Sequence, residues 1–275
     1  MSIAVLMTCH NRVEMTLACL RRLMPQLSPT DGVFLVDDGS TDGTGARVHA
    51  DFPSVHVINA DGTLYWAKGM RLAWESALAS ANNYDLFLWL NDDVVLKSNA
   101  LALLLKDLAA SGDSRSVIIG ACADDETETA SSYAATDLRD VRYEPNGSTL
   151  QKASGWFNGN VVLIPSKTAS EVGLISGDYS HARADYDYAE RLKRAGVPFW
   201  ASTQYVGICK RDNRMETESK GLLGRLHGLC EPGNCNVRDL WLYRYRYWGF
   251  AKAIISVCHL LWVVLFQRKR NNVKG

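Results

Sequence analysis

The chain carries no net charge: 30 Lys and Arg residues face 30 Asp and Glu residues. No global field therefore draws it to nucleic acid or to a strongly acidic partner. It also lacks paired cysteines. Its seven cysteines are scattered, and neither Cys9 with Cys19 nor Cys230 with Cys235 has metal-finger spacing with a second pair to match. Reduced thiols are expected. Met1 to Met7 has no positive n-region, and polar residues end its apolar run at once. It reads as a first strand rather than a signal peptide, and a cytoplasmic protein is expected. There is no Gly-Lys-Ser/Thr loop, no G-x-G-x-x-G spacing, no internal repeat and no low-complexity segment. The apolar tract Ala253 to Phe266 would reach only about 21 Å as a helix, against a hydrocarbon core of roughly 30 Å, so a true span is not expected.

What is present suits a globular enzyme. The chain has 275 residues, 47% of them hydrophobic and 22% charged, enough to bury a full core in one large domain or one domain with an appendage. Short apolar runs alternate with amphipathic helical patterns. Strands are expected at Ile3–Met7, Val33–Val36, Val55–Ile58, Leu86–Leu90 and Val117–Ala121. Helices are expected between them over Val13–Met24, Asp42–Phe52, Ala67–Ala81 and Asn99–Ala110. In the third helix Met70, Leu72, Ala73, Trp74, Ala77 and Leu78 lie across the buried side. Alternation of this kind implies crossovers and a largely parallel sheet. Residues 122–155 are polar and turn-rich, which predicts loops and short antiparallel strands. Val161–Ile164 reads as a strand, and Asp185–Ala195 as a helix stopped by Gly196 and Pro198.

Three of these strands end in polar residues on what should be one sheet edge. The first ends in Thr8-Cys9-His10-Asn11-Arg12, the second in Asp37-Asp38-Gly39-Ser40-Thr41-Asp42-Gly43-Thr44, and the fourth in Asn91-Asp92-Asp93. Two adjacent carboxylates are costly unless water or a cation neutralises them. At the carboxyl end of a buried strand they mark a ligand crevice, here one for a divalent metal and a phosphate-bearing substrate; the alternative is two solvated surface acids. Asp37 and Asp38 would repel phosphate but accept hydrogen bonds from a base or ribose. Ser40 or Thr41 also suits a helix cap.

These segments together resemble the inverting family 2 glycosyltransferases of the GT-A fold. Gly62 to Met70, Phe157-Asn158-Gly159-Asn160 and Asp185-Tyr186-Asp187-Tyr188-Ala189-Glu190-Arg191 are similar to bacterial surface-polysaccharide and rhamnosyltransferase-like members. The resemblance covers roughly residues 1–212. It implies an α/β fold, a Rossmann-like mixed sheet flanked by helices, with a C-terminal helical extension. The catalytic domain would span 1–212, as a nucleotide-sugar half (1–121) and an acceptor half (122–212), with 213–275 as the extension. The resemblance further implies that Thr8, Asn11, Arg12, Asp37, Asp38 and Asp92 contact the nucleotide sugar, with Trp66 and Lys68 helping to hold the donor. Asn91-Asp92-Asp93 matches the Asp-x-Asp metal triplet with Asn in first place, leaving Asp93 the main ligand of Mg²⁺ or Mn²⁺ and Asp92 a lesser one. Cys209 lies where many relatives have a metal-binding His.

Asp185 matches the catalytic base. Asp185 and Asp187 diverge by about 200° on a helix, so only one can meet a given proton. Asp187 is then structural or acceptor-binding; the alternative is that both acids complement the helix dipole. Trp156, Phe157, Asn158, Gly159 and Asn160 would lie beneath the sugar, with Trp156 alternatively in the core. His181 would assist the acceptor site or the metal, or be structural. In the tail, Trp241, Tyr243, Tyr245, Tyr247 and Trp248 alternate with Arg238, Arg244 and Arg246, then comes the apolar tract and Gln267-Arg268-Lys269-Arg270. An interfacial helix that brings the enzyme to a lipid-linked acceptor fits this pattern. The alternative is packing on the catalytic domain or in a homodimer. The expected activity is transfer of a sugar from a UDP- or dTDP-linked donor to a glycan hydroxyl in bacterial surface polysaccharide synthesis, at the inner face of the membrane. The rivals are a sugar nucleotidyltransferase, which would carry a glycine-rich basic loop where Cys9-His10-Asn11-Arg12 stands, and a non-catalytic scaffold.

Overall fold

The protein is seen as a computed structural model that describes residues 1–211, 222–232 and 236–266. Cys235 and Gln267 to Arg270, singled out in the sequence, lie outside the described residues. The chain divides into two compact units: residues 1–178 with 184–211, and residues 179–183 with 212–275.

The first unit is built on one mixed sheet. Its strands are β1 (Ile3–Cys9), β2 (Gly32–Asp38), β3 (Val55–Ala60), β4 (Leu86–Leu90), β5 (Val95–Leu96), β6 (Val117–Ala123), β7 (Ser131–Tyr133), β8 (Gln151–Lys152), β9 (Val161–Pro165) and β10 (Phe199–Ile208). Its helices are α1 (Val13–Leu23), α2 (Thr44–Asp51), α3 (Tyr65–Ala79), α4 (Ala100–Ala110), α5 (Ser166–Val172) and α6 (Ala184–Arg194). The main strand order is β3-β2-β1-β4-β9-β6-β10-β5, with β7 beside β6 and β8 beside β10. β1 and β4 are buried throughout, which is why they read as unbroken apolar runs. Leu17, Leu20 and Leu23 of α1 join β1 and β4 in the core, while Arg21 and Arg22 face out.

Several features depart from the sequence expectation. β9 runs antiparallel to both β4 and β6, so the sheet is not largely parallel at its centre. β10, the longest strand of the sheet, pairs parallel to β6, yet its alternating aromatic, small and polar residues hid it behind the Pro198 stop. β5 and α5 were likewise not expected. Leu78 faces out at 55% exposure, because the core side of α3 is already filled by Met70, Ala73, Trp74 and Ala77.

The second unit contains α7 (Leu222–Gly228) and α8 (Val237–Phe266). The side chain of Asn236 accepts the Asp239 amide at 2.7 Å, an N-cap that starts α8. Asp239 in turn accepts the Ser180 and His181 amides at 2.9 and 3.3 Å. α8 is two helices joined at Gly249, whose φ of 79° is left-handed and breaks the turn. The apolar stretch is longer than the sequence tract alone suggested. The helix Val237–Leu265 is long and apolar enough to cross a membrane by length and composition; its most apolar 18-residue window has a mean hydropathy of 1.8 and is 6% buried.

Candidate active site

Because β1, β2 and β4 are parallel neighbours, their carboxyl ends share one edge. β9 begins where β4 ends, which brings Asn160 to that edge: its carbonyl accepts the Asn91 amide at 2.9 Å. β10 finishes there too and delivers Cys209. The antiparallel strand is thus what gathers segments that are far apart in sequence.

The β1 and β2 loops are pinned to each other. Asn11, at a left-handed φ of 52°, accepts the Thr41 amide at 2.7 Å on its side-chain oxygen, and its own amide donates to Ser40 Oγ at 2.9 Å. The Arg12 amide donates to Thr44 Oγ1 at 3.3 Å. Thr8 is buried, and a Cβ at Gly69 would sit 2.4 Å from its Oγ1, so that glycine lets α3 close on the end of β1. Lys68 is exposed on the same helix.

Asp37 and Asp38 are buried, and backbone amides meet both. Asp37 accepts from Ser40 at 3.0 Å and Gly45 at 2.9 Å. Asp38 accepts from Gly62 at 3.0 Å, Leu64 at 3.1 Å and Tyr65 at 2.8 Å. A carboxylate has about four acceptor sites, so Asp37 retains more capacity than Asp38 for a base or ribose. The sequence showed two acids; the structure shows that Asp37 holds its own loop and Asp38 the loop after β3.

Asp92 and Asp93 share one counter-charge. Arg12 Nη1 lies 3.2 Å from Asp92 Oδ1 and 3.3 Å from Asp93 Oδ2. Thr16 Oγ1, fully buried on α1, donates to Asp92 Oδ2 at 3.1 Å. Burial raises the Asp92 pKa to about 6, with the neighbouring Asp93 adding to it and Arg12 opposing it. Asp93 is more open, at 22% side-chain exposure, and its Oδ1 accepts from the Cys209 thiol at 3.5 Å. Burial and the Asp93 charge push that thiol's pKa up, which keeps it protonated. Among the described residues no three His, Cys, Asp or Glu side chains are grouped to hold a cation unaided. The donor set fits a hard cation that takes one carboxylate, Asp93, and draws its other oxygens from a diphosphate and water. Asp92 is held by Arg12 and Thr16.

A chain of contacts runs from this pair to Asp185. Trp66 Nε1 donates to Asn91 Oδ1 at 2.8 Å. The Trp66 ring lies over Gly159, where any Cβ would meet it at 2.4 Å. The Gly159 amide donates to Asp185 Oδ2 at 3.2 Å, and the Tyr186 amide to Asp185 Oδ1 at 2.9 Å, so the carboxylate is fixed in the first turn of α6. Trp156 is half-buried and stacks on Tyr186 with centroids 4.1 Å apart. Asn158 Oδ1 is buried with no hydrogen-bond partner among the described residues. Asn160 is buried, and its Nδ2 lies 3.6 Å from Cys209 Sγ.

Two residues expected at the acceptor site have partners of their own. The Asp187 side chain is fully buried and pairs with Arg191 Nε at 2.9 Å, while Arg191 also donates to the Val172 and Leu174 carbonyls. Asp187 therefore anchors α6. His181 belongs to the second unit, where its amide donates to Asp239. Sequence reasoning missed Thr16 and Tyr186. A threonine on the apolar face of α1 was the signal for the first, and the aromatic beside Asp185 for the second.

The coordinates resemble the mannosyltransferase PcManGT from Pyrobaculum calidifontis, solved in complex with GDP-Man and Mn²⁺. The TM-score is 0.56 at 15% identity, over 95% of this chain and 69% of that one. At that identity the likeness shows the fold, which is GT-A-like as expected. No curated protein matches the sequence. The family model described as Glycosyl transferase family 2 matches residues 4–166. That range runs from β1 to the end of β9, takes in every loop at the strand-end edge up to Asn160, and exceeds half the chain. On this ground the protein belongs to glycosyl transferase family 2.

Proposed function

We propose that the protein is a metal-assisted, inverting transferase that moves one sugar from a nucleoside diphosphate sugar to a hydroxyl of a glycan acceptor. The observation that carries the reading is the contact chain Asn91–Trp66–Gly159–Asp185, which starts two residues before Asp93, a partly open carboxylate beside a cationic side chain, and ends at a second, separately positioned carboxylate. Inverting transfer needs those two functions apart. Asp185 accepts the proton of the acceptor hydroxyl as its oxygen bonds to the anomeric carbon. The bond from that carbon to the diphosphate breaks on the opposite face, and the nucleoside diphosphate leaves with the electron pair. A divalent cation on Asp93 would supply charge neutralisation for that leaving group. The β1 and β2 loops, with Asn11, Arg12, Asp37 and Asp38, bind the nucleotide. Trp66 and Asn160 hold the sugar, and Trp156 with Asn158 faces the acceptor. Asp185→Asn is expected to lower turnover by about 10³-fold with little change in donor affinity. Full turnover in that variant, or a product that retains the donor's anomeric configuration by NMR, would contradict the reading.

The acceptor in this reading is lipid-linked, met at the cytoplasmic face of a membrane during surface polysaccharide synthesis. Support comes from α8, where Phe250, Ile255 and Trp262 are 61%, 66% and 56% exposed on a helix with arginines at one end. Sedimentation with vesicles containing anionic lipid is expected to carry the wild type down and to leave Phe250→Ser/Ile255→Ser/Trp262→Ser in solution. Equal binding of both would count against α8 as the membrane contact.

A further inference from the structure

The segment ahead of Trp156 carries a group that the proposed reaction does not use. Arg142 forms an isolated antiparallel bridge with Thr136. Thr136 is tied to Trp156 in both directions: its amide donates to the Trp156 carbonyl at 2.8 Å, and the Trp156 amide donates to its Oγ1 at 3.0 Å. Trp156 stacks on Tyr186, whose amide holds Asp185. Arg142 thus sits on the acceptor side of the site, a short series of contacts from the carboxylate read as the base. Its Nε is buried and has no hydrogen-bond partner among the described residues.

A second arginine lies close by. Arg211 follows β10, and its amide donates to Asp124 Oδ1 at 2.8 Å, at the end of β6 where Ala123 pairs with Ser131, whose Oγ donates to the carbonyl of Tyr143 next to Arg142. Burial first, and then the Arg211 charge, lower the pKa of Arg142, while Tyr186, Asp140 and Glu144 oppose that shift. The acids do not quench the pair. Glu144 Oε2 is committed to Ser131 and to Tyr205 at 2.6 Å each, and neither guanidinium forms an ion pair among the described residues. Two guanidinium groups near one another, one with a desolvated N–H, carry a free-energy cost that a planar fork recovers by binding an oxyanion.

We propose that Arg142 and Arg211 form an oxyanion subsite for the acceptor, taking a phosphate or carboxylate group borne by the molecule whose hydroxyl reaches Asp185. The inference rests on the transferase reading and adds a charge requirement to its acceptor. The donor diphosphate is the other candidate anion. Arg12, already beside the acidic pair, is the cation placed for it, whereas the contacts of Arg142 lead to Trp156 and Tyr186.

The test titrates full-length wild type, Arg142→Gln, Arg142→Lys and Arg211→Gln with methyl phosphate, methyl glucuronide and neutral methyl glucoside by NMR. UDP and GDP with Mn²⁺ are titrated in parallel. One of the two anions is expected to bind the wild type about tenfold or more tightly than methyl glucoside, and its identity separates a phosphate acceptor from a uronate one. Binding should fall about tenfold in both Gln variants and less in Arg142→Lys, which keeps the charge but loses the fork. Nucleotide affinity should stay within about twofold of wild type. Melting curves check folding, and Arg142→Gln, which removes a desolvated charge, is expected to melt no lower than wild type. Anion binding no tighter than that of methyl glucoside, or undiminished in the Gln variants, would overturn the subsite. Nucleotide affinity falling in step with anion affinity would reassign the arginines to the donor. Arginine-dependent anion binding in a wild type that binds no nucleotide would remove the transferase reading and leave the oxyanion site standing.

Discussion

Two polar regions meet at one edge of the sheet, and they are built in opposite ways. In the loops after β1, β2 and β4, the buried carboxylates of Asp37, Asp38 and Asp92 are each met by amides, a hydroxyl or Arg12 of their own or a neighbouring segment. In the Thr136–Asn160 segment beside α6, polar atoms are left over: Asn158 Oδ1 and Arg142 Nε are buried without partners. The first region is complete without a ligand and so is preorganised. On the proposed reading, the second is completed by one. Unpartnered atoms alone do not make a site, since Trp74, Trp89 and Tyr188 leave theirs in an aromatic cluster where burial of large rings offsets one lost hydrogen bond. Asn158 and Arg142 have no such compensation.

The contrast can be broken by mutation. The largest stability effect is expected at Asp38. Asp38→Ala strands the amides of Gly62, Leu64 and Tyr65, at a cost of about 3 kcal/mol, or roughly 6–12 °C in Tm. Thermal unfolding checks it, and a loss under 1 °C would mean the loops are not held as described.

How much of this was legible in the sequence varies with how local each feature is. Strand ends such as Leu90-Asn91-Asp92-Asp93 were readable because an apolar run stops abruptly. The register of β9 was not, since Val161–Pro165 pairs with strands on both sides only after the sheet has formed. β10 was invisible because its period is broken by shifts in register against β6. Asp185 and Asp187 look alike as residues. What separates them is that Arg191 turns inward to cover one while the other meets Gly159 from a distant loop. Arg142 and Arg211 lie far apart in the chain and come together only in the folded sheet.

A second, smaller effect concerns pH. Folding raises the Asp92 pKa to about 6 from 3.8. The folded state therefore holds this proton more tightly than the unfolded one. The stability from this group is present below about pH 4 and is lost as pH rises through about 6. Asp92→Asn, which cannot titrate, should gain on the wild type by roughly 2–3 kcal/mol between pH 4 and pH 7. Urea unfolding at several pH values measures this, and a pH-independent difference would contradict the buried, shared charge.

The smallest effect is expected on the unfinished side. Asn158→Ala should change stability by less than about 1 kcal/mol, because the atom removed satisfies nothing in the fold. It should still lower kcat/KM. A stability loss as large as that of Asp38→Ala would erase the distinction between the two regions.

The central claim is that the strand-end edge takes a divalent cation together with a nucleoside diphosphate sugar, with Asp93 as the protein's ligand. Thermal shift with a panel of nucleotide sugars, with Mn²⁺ or with chelator, tests it directly, since only a ligand of the folded state raises the melting temperature. One donor is expected to stabilise the wild type with Mn²⁺, and the metal-dependent part of that shift should vanish in Asp93→Ala. The same shift in chelator, or the same metal dependence without Asp93, would contradict the account.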